Sequence, residues 1–352
     1  MRFIHIADVH LGCRPDISFP WGESREQEIW ETLAFVVRTC NEKKIDLLLI
    51  SGDLFDRQPS VDELKKVNNM FAKAQGVQVV MISGEHDYLK EDSAYMEFSW
   101  ASNVHFLKEA EPDSVFLEEL DTTVHGISYH SGTCDEDLTA SIEPCNDEGE
   151  IQILMLHGGD EEHMPFSAKK LAMLDFDYVA LGHLHAPRLL SDHVAYAGSL
   201  EPLSKEETGK HGYILGEITR ERREFRFVPA SKREYVLLSV RVSSDIGSRE
   251  LEERLKAVIE KQGSHHLYLI CLEGKYRPRC PYSSDRLRQI GNVVAVDDRT
   301  VPDYDLMTLL DEHKDDIVGM YMEELLKQPS SKTVQKALFC GLDALLLQEE
   351  PN

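Results

Sequence analysis

Five short segments, far apart in the chain, each set a metal-binding side chain directly after an apolar run. They are Asp8-Val9-His10, Gly52-Asp53, Gly84-Glu85-His86-Asp87, His157-Gly158 and Gly182-His183-Leu184-His185. The apolar runs over 3–7, 47–51, 77–83, 153–156 and 178–181 are strand-like. Carboxylates and imidazoles at the carboxyl ends of several strands can converge in one crevice, where open α/β sheets bind ligands. Mixed oxygen and nitrogen donors of this kind suit manganese, iron or zinc. A pair of such ions suits phosphate ester cleavage.

The elements between these segments have to bring them together. Residues 24–40 read as an amphipathic helix, with Ile29, Leu33, Val36, Val37 and Cys40 as its apolar stripe and capping-box spacing at Ser24 and Gln27. Ser60 and Glu63 repeat that spacing ahead of Leu64, Val67 and Phe71. The stretch 47–50 between them is nearly all apolar, as a strand buried on both faces should be. This βαβαβ rhythm predicts a buried sheet flanked by helices. Strands follow at 104–107, 115–117, 123–128, 194–197, 212–218 and 224–228, with a helix at 167–174 and an acidic surface loop at 131–150. The fold class expected is α/β, a two-layer β-sandwich flanked by helices, over residues 1–230.

Composition shifts near Ala230. Strand-like stretches at 235–242, 266–272 and 293–296 alternate with helices at 248–261 and 284–290, predicting a smaller α+β domain over 231–352. Helices are expected to close the chain at 305–327 and 331–348. The last carries Val334, Leu338, Leu342, Leu345 and Leu346 as a stripe, which either packs within its own domain or docks a partner.

The 352 residues are 42% hydrophobic and 29% charged, the composition of a globular protein. No stretch approaches the ~20 apolar residues of a membrane span. The amino terminus enters a strand directly, unlike a secretory signal, so a cytoplasmic protein without membrane attachment is expected. Seven scattered cysteines contain no Cys-x-x-Cys pair, which disfavours structural zinc and a disulfide framework. The net charge of −25 argues against tight DNA binding by the chain alone, because phosphate neutralisation drives such affinity. It leaves a nuclease open: bound divalent ions reverse the local field, and a partner can supply the grip.

The five segments in this order resemble the calcineurin-like metallophosphoesterase superfamily. Its pattern is Asp-x-His, Gly-Asp, Gly-Asn-His-Asp/Glu, a later His, and Gly-His-x-His. The opening over 4–12, the run Gly52-Asp53-Leu54-Phe55-Asp56, and the stretch 195–202 resemble its DNA-repair exonuclease branch, with SbcD-like and YhaO-like members. The resemblance implies two divalent metal ions, manganese first, with iron, zinc or magnesium as alternatives. Asp53 would bridge them. Asp8, His10 and His185 would hold one ion, and Glu85, His157 and His183 the other. His86 would contact a phosphate oxygen or protonate the leaving alkoxide, with Asp87 orienting its ring. DNA as substrate and an SMC-like ATPase subunit of the SbcC type as partner are likewise implied, and a homodimer is compatible with the pattern. The carboxy-terminal domain would position DNA and bind the partner.

One position departs from the pattern. Glu85 stands where the family has a neutral Asn, which takes the carboxylate charge offered to the ions from −2 to −3, counting Asp8, Asp53 and Glu85. An added anion should tighten metal binding and weaken catalysis. Two alternatives to a nuclease therefore stand: a small-molecule phosphodiesterase or phosphatase, and a DNA-end-binding subunit whose catalysis Glu85 has weakened. Taken singly, an Asp after a strand is usually a turn or cap residue, and a His usually a surface or core one. His163 either contacts substrate or lies in a solvated loop, and Arg14 and Arg57 either meet phosphates or are ordinary surface cations.

Overall fold

The computed structural model describes residues 1–142, 144, 151–219 and 221–346. It divides into two compact units, Met1–Glu234 and Tyr235–Asn352.

In the first unit, in chain order, β1 (Arg2–Ile6), β2 (Leu47–Ser51), β3 (Gln78–Ile82) and β4 (Val104–Phe106) are followed by β5 (Asp113–Leu117), β6 (Thr122–Gly126), β7 (Ile151–His157) and β8 (Tyr178–Gly182). Then come β9 (Arg188–Leu189), β10 (Val194–Tyr196), β11 (Gly212–Ile218) and β12 (Arg223–Pro229). One sheet runs β12-β11-β1-β2-β3-β4 and the other β5-β6-β7-β8-β10-β9. Strands β1, β2 and β3 are parallel, as are β7 and β8.

Side-chain alternation along these strands builds three layers of core. On the first sheet, Phe3, Leu47, Leu49, Val80 and Ile82 face the second sheet, whose Ile153, Met155, Tyr178 and Ala180 meet them. The intervening Ile4, Leu48, Ile50 and Val79 face outward, where Ile29, Leu33 and Val36 of α1 (Gly22–Lys43) and Leu64, Val67 and Phe71 of α2 (Val61–Phe71) cover them. On the other side, Leu154, Leu156, Val179 and Leu181 pack under Leu171 and Phe176. Burial on both faces explains why these strands are almost wholly apolar. The architecture is the expected sandwich of sheets with outer helices.

Local expectations fared unevenly. Ser60 and Glu63 form the reciprocal capping box at the start of α2. No such box forms at Ser24. Helix α1 begins two residues earlier, with Trp21 at its cap and no side-chain cap bond. Ser24 lies inside the first turn and donates to the Trp21 carbonyl and to Glu28. The earlier start is set by packing, since a Cβ on Gly22 would sit 2.2 Å from the Asp16 carbonyl oxygen. Between α3 (Ala94–Glu97) and β8, α4 spans only Ala168–Leu171. The expected loop over 131–150 lies partly outside the described residues.

In the second unit, β13 (Tyr235–Val242), β14 (Leu267–Tyr276) and β15 (Val293–Asp298) form a parallel sheet, and β16 (Val301–Pro302) adds to β14. The crossovers carry α5 (Ser248–Gln262) and α6 (Ser284–Leu287). Leu251, Leu255 and Ile259 of α5 pack on Tyr268, Ile270 and Leu272. The expected helix over 305–327 is two, α7 (Leu306–Glu312) and α8 (Ile317–Leu326), because Asp316 caps a new start on the amides of Val318 and Gly319. In α9 (Lys332–Leu346), Leu338, Leu342 and Leu346 close a small core with Val318 and Met322. Leu338, Leu342 and Leu346 of the stripe are therefore internal packing, while Val334 and Leu345 are only partly buried. Positions 347 and 348 lie outside the described residues. No described helix is long and apolar enough to cross a membrane.

Candidate metal centre

Every donor singled out in the sequence leaves the carboxyl end of a parallel strand: Asp8 and His10 after β1, Asp53 after β2, Glu85 after β3, His157 at the end of β7, and His183 and His185 after β8. The chain turns sharply there. Asp8, His10, Asp53 and His183 all adopt positive φ, at 49°, 50°, 48° and 96°. Non-glycine residues reach that region only when the surroundings over-determine it. Here the amides do so. Asp8 donates to the Gly52 carbonyl at 3.2 Å, His10 to the Asp53 carbonyl at 3.0 Å, and His183 to Asp8 Oδ1 at 2.9 Å. The motif glycines leave space for neighbouring donors. A Cβ on Gly52 would lie 2.2 Å from His157 Nδ1, and one on Gly84 would lie 2.2 Å from Asp53 Oδ1.

The side chains gather into two adjoining groups, Asp8 with His10 and His185, and Glu85 with His157 and His183. Within each group the candidate ligand atoms lie within 4.8 Å of one another. In the first, the Nε2 atoms of His10 and His185 face each other at 3.1 Å. In the second, Glu85 contacts His157 Nε2 and lies 2.8 Å from His183 Nδ1. Asp53 Oδ2 stands between the groups, 3.7 Å from His10 Nε2 and 3.5 Å from His157 Nε2. Its Oδ1 accepts from the His86 amide at 2.9 Å.

The electrostatics of this cluster favour cations. Asp8 and Asp53 are buried, and the Oδ2 atom of each has no hydrogen-bond partner among the described residues. Burial alone disfavours a charge on His157, but Asp53 and Glu85 outweigh it and hold its pKa well above the ordinary value. His185 is pushed up to about 9, where Glu207 and Asp8 overcome its burial. Orphaned buried carboxylate oxygens, and inward-facing imidazole nitrogens beside them, fit a pair of divalent ions in donor type and number.

The ring of His86 is exposed beside this cluster, edge-on to His10 at 4.7 Å between centroids. Asp87 does not orient it. The Asp87 carboxylate is buried under the loop, accepting from the amides of Gly84 at 2.9 Å and Phe55 at 3.2 Å, and burial together with Asp53 pushes it up to about 7. The His86 ring instead donates from Nδ1 to the Asp56 carbonyl at 3.2 Å. Asp87 shapes the turn because the turn amides would otherwise be buried unpaired. Arg14 and Arg57 are exposed and held by Glu26 and Glu63.

Several residues at the site escaped the sequence reading. The outward nitrogens of the four histidines are all engaged: His10 Nδ1 with Asp56 at 3.2 Å, His183 Nε2 with Asp160 at 2.7 Å, His185 Nδ1 with Glu207 at 3.0 Å, and His157 Nδ1 with the Ser51 carbonyl at 2.8 Å. His163, read as a substrate contact or a loop residue, lies against His183 with 4.7 Å between ring centroids and pairs with Asp160. Only Asp56, three residues after Asp53, had any signal in its spacing.

The profile of the calcineurin-like phosphoesterase family matches residues 1–187, more than half of the chain. The chain belongs to the calcineurin-like phosphoesterases. Among the relatives of this phosphoesterase is the metallophosphoesterase YhaO of Bacillus subtilis, 29% identical over 238 residues that cover 62% of this chain and 58% of YhaO. The DNA double-strand break repair protein Mre11 of Sulfurisphaera tokodaii is 25% identical over 303 residues, 79% of this chain and 75% of that protein. Mre11 of Methanopyrus kandleri is 27% identical over 291 residues, 73% and 62% of the two chains. The match spans 58% to 75% of the length of these curated relatives.

Proposed function

We propose that this phosphoesterase is a two-metal nuclease subunit that hydrolyses DNA phosphodiesters. The observation that carries the reading is the convergence of seven donors from five strand ends, with Asp53 between two groups of three. Asp8, His10 and His185 would hold one ion, Glu85, His157 and His183 the other, and Asp53 would touch both. When bound, such ions, manganese first, activate a water and draw charge from the phosphate. The protein's own parts do the rest. The buried carboxylates set the spacing of the cluster, and the exposed His86 stands where an imidazole can meet a phosphate oxygen or give a proton to the leaving oxygen.

The relatives named as DNA double-strand break repair proteins support DNA as the substrate over a small phosphodiester. The charge of −25 supports dependence on a partner, for which an SMC-like ATPase is the reading, in a cytoplasmic setting. In the second unit, Met307, Ile317 and Met320 are among the exposed apolar side chains that a partner could cover. Cleavage of linear duplex DNA against bis-p-nitrophenyl phosphate, with and without manganese, tests the reading. Manganese-dependent DNA cleavage supports it. Turnover of the small ester alone favours a small-molecule phosphodiesterase, and turnover of neither favours a binding subunit.

A further inference from the structure

We propose that Asp56, Asp160 and Glu207 are positioning residues, each fixing one histidine so that its inner nitrogen presents a lone pair to the metal centre. This rests on the two-ion reading above. A neutral imidazole has one N–H and one lone pair, and an acceptor at the outer nitrogen decides which is which. A carboxylate there also makes the inner nitrogen a stronger donor. The three pairs have this geometry, at 3.2 Å for His10–Asp56, 2.7 Å for His183–Asp160 and 3.0 Å for His185–Glu207. The inner nitrogens are Nε2 for His10 and His185, which face each other, and Nδ1 for His183, which faces Glu85.

The carboxylates are themselves held. Asp160 accepts from the amides of Glu162 and His163, both at 2.9 Å, and from the His163 ring. Glu207 accepts from the Leu203 amide at 2.9 Å and the Ser204 hydroxyl at 3.2 Å. The Asp56 amide donates to the Leu11 carbonyl at 3.1 Å, and its carbonyl receives the His86 ring. Asp160 and Glu207 are thus held at the carboxylate itself and Asp56 through its main chain, which is what positioning requires.

The pairs are not shared equally. Asp56 and Glu207 both serve the group of Asp8, so both of its histidines are backed by a carboxylate. The other group has Asp160 behind His183, while His157 rests on the neutral Ser51 carbonyl and Glu85 supplies the charge directly. Removing a backing charge should therefore weaken one ion and spare the other.

The test is manganese titration of the full chain by calorimetry, with metal analysis after dialysis and melting in EDTA alongside. His183→Ala and His185→Ala mark which binding step belongs to which group. Asp160→Asn should weaken the step lost in His183→Ala by about 10- to 100-fold, and Asp56→Asn and Glu207→Gln the step lost in His185→Ala. Melting in EDTA measures separately what the same contacts contribute to the metal-free fold, where the pairs are already formed. Unchanged affinities overturn the proposal. So does equal weakening of both steps with a lowered metal-free melting point, which would make these carboxylates loop braces. A wild-type protein that binds fewer than two ions refutes the two-ion reading itself, and the proposal with it.

Discussion

Replacing Glu85 with Asn should raise phosphodiester turnover while loosening the metal. Glu85 is half-buried and contacts His157 and His183, and the imidazoles hold its carboxyl well below the ordinary range despite the cost of burial. It is therefore an anion in the folded protein. Attack on a phosphodiester by a deprotonated water adds one negative charge at the phosphorus, which a nearby carboxylate opposes. A unit charge about 5 Å away is worth ~3 kcal/mol at an effective dielectric of about 20. A tenfold gain in rate needs only ~1.4 kcal/mol, less than half of that figure, so a rise of about tenfold is expected even with substantial screening. The assay is turnover of bis-p-nitrophenyl phosphate at saturating manganese, with manganese affinity measured on the same preparation. Rate should rise and affinity fall, and opposite signs exclude simple misfolding, which lowers both. A lower rate at full metal content would refute the reasoning and give Glu85 an adapted role.

Asp53→Ala should lose metal from both groups, since its Oδ2 faces His10 and His157, and metal analysis would detect it. His86→Ala should keep two ions and lose about 100-fold or more in turnover, the scale of a proton-transfer group, in the same ester assay. Leu342→Ala should cost the second unit about 2–5 kcal/mol, seen in its denaturant midpoint, because this side chain is fully buried between α8 and α9. Acid should also destabilise the first unit through His5. Burial pushes its pKa down to about 3 from 6.5, and its ring meets the Tyr178 hydroxyl at 2.9 Å. The unfolded chain binds that proton first, so stability present above pH 6.5 drains away as pH falls toward about 3. His5→Gln should flatten melting temperature across that window.

The amino-acid sequence by itself determined the donor types, their order along the chain and the strands that end at them. Two periodicities made this legible: continuous apolar runs for strands buried on both faces, and stripes at helical spacing for α1 and α2. Each depends on neighbours a few residues apart, as does the Ser60–Glu63 cap. What the sequence could not decide depends on contacts between distant segments. Helix α1 starts where Gly22 fits against Asp16. The α9 stripe reads equally as a core or a docking face until Val318 and Met322 are seen against it. Asp87 follows His86 in the chain, yet its carboxylate turns toward the amides of Gly84 and Phe55, because buried amides need an acceptor more than an exposed ring does. Asp160 and Glu207 carry no motif. They matter only because folding sets them behind His183 and His185, each 22 or more positions away in the chain. Local spacing selects the groups that can bind a metal, whereas the second ring of carboxylates behind them exists only in the packed structure.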